Sequence, residues 1–192
     1  MLVPWNAVLS TMVFFKDELP GTNISFMISF AMNGIMVFIV IAIVFFSADK
    51  IANRFLRVHL VFLCTAPILM TIPVIVHEST KAFTSLTPTY WITFFLLLIV
   101  GMGHTVPQAY SLSWIALLPE KYMGACSFGM GLSSLILNFT EAIFIAAGGS
   151  DETNERKYIE TNIYYAIAGA ILVITAALYF VERDSPFAIY YC

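Results

Sequence analysis

Apolar residues fall into six runs along the chain, and short polar segments separate the runs. A helix that crosses the hydrocarbon layer needs about 20 apolar residues, because each residue rises about 1.5 Å. The first run closes early at the charged triplet Lys16-Asp17-Glu18, whereas the others reach spanning length. The pattern predicts an all-α, polytopic membrane protein, a single bundle over residues 1-192 with a truncated first helix. The predicted spans lie at about residues 1-16, 24-47, 55-76, 90-118, 123-147 and 162-181.

The polar segments between the spans predict which parts of the chain face water. We expect residues 77–88 to form a polar loop, and the charged residues 150–160 to lie outside the membrane. Basic residues favour the cytoplasmic side of a membrane. Lys50, Arg54 and Arg57 cluster between the second and third spans, so we expect both termini on the cytoplasmic or matrix side.

The composition supports the membrane prediction and excludes several other classes of protein. Hydrophobic residues make up 60% of the chain and charged residues 11%, against about 45–50% and about 25% in soluble domains. A net charge of -3 without a basic patch excludes a nucleic-acid-binding domain. We therefore expect the lipid bilayer, and no nucleic acid, as a partner of the chain.

Small and polar residues of the fifth span recur at steps of four, three, four and three, which places them on one helical face. Such a face turns toward other helices or toward a water-filled cavity, because polar groups are costly in lipid. Two interpretations stay open: a packing seam with polar contacts, or one wall of a substrate pathway. The residues of this face are Ser127, Gly131, Ser134, Asn138 and Glu141.

Glu141 is the one carboxylate well inside a predicted span. Removal from water disfavours the charged form of a carboxyl group, so we expect Glu141 to be neutral, buried and hydrogen-bonded to a neighbouring group. A pair with an arginine or a histidine, and a site for a proton or a cation, are the alternatives for this residue.

A similar spacing recurs in the fourth span, at Gly101, His104, Gln108 and Ser111. An amide both donates and accepts hydrogen bonds, so Gln108 suits either a bond to another helix or recognition of a base or a ribose. We interpret His104 as a packing residue of the same polar face. In the second span, Asn33 is a further polar group at membrane depth.

No motif for catalysis or metal binding is found in the sequence. It contains no His-Glu-x-x-His motif, no phosphate-binding glycine loop and no dinucleotide-binding loop. No pair of cysteines has the spacing of metal ligands. We therefore expect that the protein is not an enzyme and that it holds neither a metal ion nor a cofactor.

Short motifs occur in the order and spacing of a known family. They are Pro4-Trp5-Asn6 in the first helix, Gln108 eleven residues before Pro119, and Gly129-Met130-Gly131-Leu132 in the fifth helix. The pattern resembles the amino-terminal six-helix half of the equilibrative nucleoside transporters, and it extends over nearly the whole chain. At Met130 the family has a glutamine.

The resemblance implies a bundle like the amino-terminal half of a major-facilitator-like transporter, in which a nucleoside binds between a six-helix and a five-helix bundle. By this resemblance, Trp5 shapes the nucleobase end of the cavity and Gln108 hydrogen-bonds the base. Gly131 would permit close helix packing beside them. We expect the chain to supply one of the two bundles without the charged residues that hold the ribose in the family.

A first helix that begins inside the hydrocarbon leaves up to four backbone N–H groups without partners, and each is costly in lipid. We therefore expect other membrane protein subunits to cover spans 1, 4 and 5. The function that we expect is a structural or accessory subunit of a larger complex, such as a respiratory assembly of the mitochondrial inner membrane. The alternative is nucleoside transport, by a half-transporter or a fragment of a full transporter, in the plasma membrane or the mitochondrial inner membrane.

Overall fold

Helices make up most of the computed structural model, which describes residues 3–46, 54–115, 120–148 and 154–182. The helices of these residues are, in chain order, α1 Val3–Ser10, α2 Met12–Glu18, α3 Ile24–Ser29, a π-helical segment Phe30–Gly34, α4 Ile35–Phe46, α5 Arg54–Ala82, α6 Leu86–Ile115, α7 Glu120–Gly148 and α8 Asn154–Glu182. Lys50 of the predicted basic connection and the turn at Pro119 lie outside the described residues.

The first helical segment is short and central. Together α1 and α2 give about 24 Å of helix at about 1.5 Å per residue, less than a hydrocarbon layer of about 30 Å. Ala7 is completely buried where α1 packs against α6, α7 and α8, and Phe15 is completely buried where α2 packs against α5 and α8. Thr11 separates α1 from α2, and its Oγ1 atom lies 2.9 Å from Ala7 O and 3.0 Å from Tyr165 Oη.

Within the described residues, five helical stretches are long and apolar enough to cross a membrane: Ile24–Ile43, Val58–Ala82, Leu86–Leu112, Met123–Phe144 and Glu155–Val181. The prediction of a helical membrane protein is therefore confirmed for this part of the chain. The predicted count of six spans is not confirmed, because the first segment is short and is broken at Thr11.

Three helices extend further into the polar segments than the sequence pattern predicts. The loop expected at residues 77–88 is helical as far as Ala82, and α6 begins at Leu86. The last helix begins at Asn154 rather than near residue 162. His77 and Thr80 of α5 pair with Glu18, and Lys157 of α8 pairs with Asp17, so two of the extensions are held against α2.

The second predicted span is α3, the π segment and α4 in unbroken succession. In the π segment Ala31 and Met32 are buried against α6, whereas Asn33 is exposed. Phe30 stacks on Phe94 of α6 with ring centroids 6.3 Å apart. A π turn contains one extra residue. In this span the π turn contacts α6 through Ala31 and Met32.

The largest helix interface joins α5 to α8, and α5 also packs against α6. Leu69 and Ile72 of α5 and Leu172 of α8 are buried in it. Glycines allow the helices to approach closely. A Cβ atom at Gly101 of α6 would lie 2.9 Å from the carbonyl oxygen of Ala31. A larger residue at this position would therefore push the two helices apart.

Helix α7 lies at the edge of the bundle. Among the side chains of α7 that the structure describes, Leu137 is buried and most others are exposed or half-buried. Asn6 of α1 donates a hydrogen bond from Nδ2 to Ser134 Oγ of α7, at 2.8 Å. This bond joins the short helix α1 to the exposed helix α7.

A polar cluster holds one end of the bundle together, at the ends of α2 and α5 and near the start of α8. His77 Nδ1 lies 2.7 Å from Glu18 Oε1, and Thr80 Oγ1 donates to Glu18 Oε2 at 2.8 Å. The His77 ring stacks on Tyr158 with centroids 4.1 Å apart. This Glu18 cluster (Glu18, His77, Thr80 and Tyr158) therefore ties three helices at one level.

The close approach at Gly101 makes a prediction for stability. Gly101→Ala should lower the free energy of unfolding by about 1–3 kcal/mol, since the added methyl group overpacks the contact with Ala31 and Ile35. Gly124→Ala in α7 is the matched control, because no described atom lies within 4 Å of a Cβ there. The measurement is unfolding of the purified protein in detergent micelles, and equal stability of the two variants would contradict the packing.

The Glu18 cluster makes a second prediction. Glu18→Ala should destabilise the bundle by about 1–3 kcal/mol, because His77 and Thr80 lose their shared acceptor in a largely buried place. Glu78→Ala is the control, since the Glu78 side chain is 65% exposed and lies 3.8 Å from Lys81. Its effect should stay within about 0.5 kcal/mol. Thermal unfolding in micelles measures the stability of both variants. If Glu78→Ala lost as much stability as Glu18→Ala, the Glu18 cluster would not be what stabilises the bundle.

Candidate functional site

The polar face predicted on α7 is divided between two surroundings. Ser134 is half-buried and bonded to Asn6, and Glu141 is half-buried at the edge of a cleft. Ser127 and Asn138 are exposed, and no hydrogen bond joins Asn138 to another described residue. The bundle therefore covers only part of this face.

Gly131 does not have the close helix contact that the resemblance implied. No described atom lies within 4 Å of a Cβ placed at Gly131. Helix α7 meets the bundle further along the chain, at Ser134 and Leu137. The packing role and the substrate-binding role of Gly131 both stay predictions.

The polar face of α6, in contrast, is packed inside the bundle. His104 and Ser111 are 7% and 6% exposed, and Gly101 lies against the π segment. The Oε1 atom of Gln108 is buried and accepts no hydrogen bond from any described residue. An acceptor without a donor is costly inside a protein, which makes Gln108 the side chain of this face best prepared to bind an added donor.

Trp5 and Asn33 occupy different parts of the bundle. Trp5 is half-buried in α1 and packs against the hydrophobic core, next to the Asn6–Ser134 hydrogen bond. Helix α1 also packs against α6, the helix that carries Gln108. Asn33 lies on the exposed side of the π segment and forms no hydrogen bond with the described residues.

A cleft of about 200 Å³ opens between α1, α2, α7 and α8. Hydroxyl groups, two carboxylates, one lysine and two phenylalanine rings line it, together with Val13. The residues that matter for its chemistry are Ser10, Thr11, Phe14, Glu141, Phe144, Lys157, Glu160, Thr161 and Tyr164. Within the described residues no group of three or more histidine, cysteine or acidic side chains could hold a metal ion.

Among the residues of this cleft, only Glu141 was identified from the sequence, although the spacing of the α8 residues was a usable signal. Lys157, Glu160, Thr161 and Tyr164 follow one another at steps of three, one and three, which places them on one face of a helix. No sequence pattern predicts that Ser10 and Thr11 line the same cleft, because α1 and α8 are far apart in the chain and come together only in the folded structure.

Comparisons with known proteins give one informative match. No protein-family model and no solved structure matches the chain. Equilibrative nucleotide transporter 1 of Arabidopsis thaliana is 25% identical over 185 residues, which are 96% of this chain and 40% of that protein. The chain thus spans about two fifths of the length of this curated relative.

This match supports a relation to the transporters over most of the chain. It gives no support to the expected accessory subunit or to a mitochondrial location. The match and the five apolar helices of spanning length together indicate a transporter-like integral membrane protein.

Proposed function

We propose that this chain forms one helical bundle of a carrier for nucleosides or nucleotides, and that α1, α6 and α7 contribute one wall of the substrate pathway. The observation that carries the proposal is the similarity to a nucleotide transporter along 185 of the 192 residues. The polar groups placed on α6 and α7 supply the chemistry.

Gln108 is the residue that we assign to the base. Its buried Oε1 atom has no donor among the described residues. The exocyclic amino group of adenine or cytosine, or the ring N–H group of uracil, can supply that donor. Trp5, on the neighbouring helix α1, offers an apolar ring against which a base can pack.

Helix α7 presents the surface that a second bundle would cover. Ser127 and Asn138 are exposed there, and polar groups are costly when lipid alone surrounds them. Alternating access in carriers of this kind uses two bundles around a central site. The membrane protein partner expected for spans 1, 4 and 5 is therefore part of this proposal, in the form of a second bundle or a second copy of the chain.

The test is uptake by liposomes that contain the purified protein, measured with labelled adenosine, uridine and adenosine monophosphate. We expect saturable uptake of at least one of them. Gln108→Ala should reduce it about tenfold, the effect of removing one hydrogen bond worth about 1.4 kcal/mol. Comparing adenosine with its monophosphate shows whether the substrate is a nucleoside or a nucleotide.

Asn23→Ala is the matched control, because Asn23 is an exposed amide in the turn before α3 and should leave uptake unchanged. The thermal midpoints of both variants in micelles must match that of the native protein. Uptake no faster than in protein-free liposomes, together with no binding of the labelled compounds in equilibrium dialysis, would reject the carrier and favour a structural role.

A further inference from the structure

The cleft between α1, α2, α7 and α8 has a composition that selects one kind of ligand. Carboxylate and hydroxyl oxygens dominate its polar lining, and Phe14 and Phe144 supply aromatic rings. At about 200 Å³ it is smaller than the sites of drug-sized ligands, which measure about 300–1,000 Å³. It therefore suits a small group that is rich in hydrogen-bond donors.

Two of the three charged side chains in the cleft already have partners of opposite charge. Lys157 Nζ lies 3.0 Å from Asp17 Oδ2, and Glu160 Oε1 lies 2.8 Å from Arg156 Nε. Glu141 forms neither an ion pair nor a hydrogen bond with any described residue. The carboxyl group of Glu141 is thus the acceptor that is available to a ligand, and it differs from the paired, buried carboxyl that we expected.

Tyr164 provides a second and independent sign of a ligand. Its side chain lines the cleft and is 3% exposed. The Ser10 hydroxyl is the hydrogen-bonding group beside the phenolic oxygen, but the two form no hydrogen bond of good geometry, and no other described residue provides one. A buried hydroxyl without a partner is rare in native proteins, and a ligand that enters the cleft would supply one.

We propose that this cleft binds a primary ammonium group carried on a short chain. The ammonium group has three N–H donors, which can reach the Glu141 carboxylate, the Tyr164 hydroxyl and a hydroxyl of α1. Phe14 and Phe144 add an aromatic surface that attracts a cation. The ammonium group belongs either to a free small amine or to an aminophospholipid headgroup. The inference rests on the cleft alone and does not depend on nucleoside or nucleotide transport.

The experiment measures the thermal midpoint of the purified protein in micelles at pH 7, with increasing ethanolamine hydrochloride. A ligand that binds the folded state raises the midpoint in a saturable way. Sodium chloride and tetramethylammonium chloride at the same concentrations are the ionic controls. Tetramethylammonium carries the same charge but donates no hydrogen bond, so we expect it to raise the midpoint far less.

Two variants test the residues. Glu141→Gln should weaken the apparent affinity for ethanolammonium about tenfold or more, and Tyr164→Phe should weaken it several-fold. Glu78→Gln, an exposed carboxylate on α5, should bind as the native protein does. Tyr164→Phe keeps the ring and its packing, so it still tests the site if Glu141→Gln fails to fold.

Nanodiscs distinguish the two sources of the ammonium group. Stabilisation by phosphatidylethanolamine relative to phosphatidylcholine, lost in Glu141→Gln or Tyr164→Phe, assigns the cleft to a lipid headgroup. Stabilisation by ethanolammonium without any effect of phosphatidylethanolamine assigns it to a free amine. The proposal is overturned if neither probe stabilises the protein, if tetramethylammonium acts as strongly as ethanolammonium, or if the folded cleft variants respond as Glu78→Gln does.

Discussion

The bundle depends on how a short, buried first segment is held among longer helices. At membrane depth there is no water to satisfy polar groups, so each one needs a partner in the protein. The segment meets this need with polar contacts to three helices. Asn6 bonds to Ser134 of α7, Thr11 and Asp17 contact α8, and Glu18 binds two side chains of α5. These contacts fix the position of the segment along its whole length.

The long helices could be predicted from the sequence because an apolar run of spanning length leaves few alternatives to a membrane helix. Their ends were less predictable, since residues 77–82 are polar and yet helical. The partner that stabilises this extension is Glu18, which lies 59 positions before His77. Hydropathy along the chain contains no information on such a distant pair.

Periodicity predicts which residues share a face, but it does not predict what covers that face. The patterns on α6 and α7 look alike in sequence, yet His104 is buried and Gln108 is half-buried, while Asn138 is exposed. The difference comes from helix order, which places α6 between neighbours and α7 at the edge. For the same reason the cleft beside Glu141 was missed, because its hydroxyl groups come from the two ends of the chain.

The π segment at Phe30–Gly34 has a consequence for how the second span is read. In an α-helix each residue turns the chain by about 100°, so one additional residue in a turn shifts the phase of everything that follows. The side of α3 that faces the core and the side of α4 that faces α6 therefore belong to different angular registers. A single helical wheel drawn through both would therefore place at different angles the contact positions that lie on one side of the span in the structure.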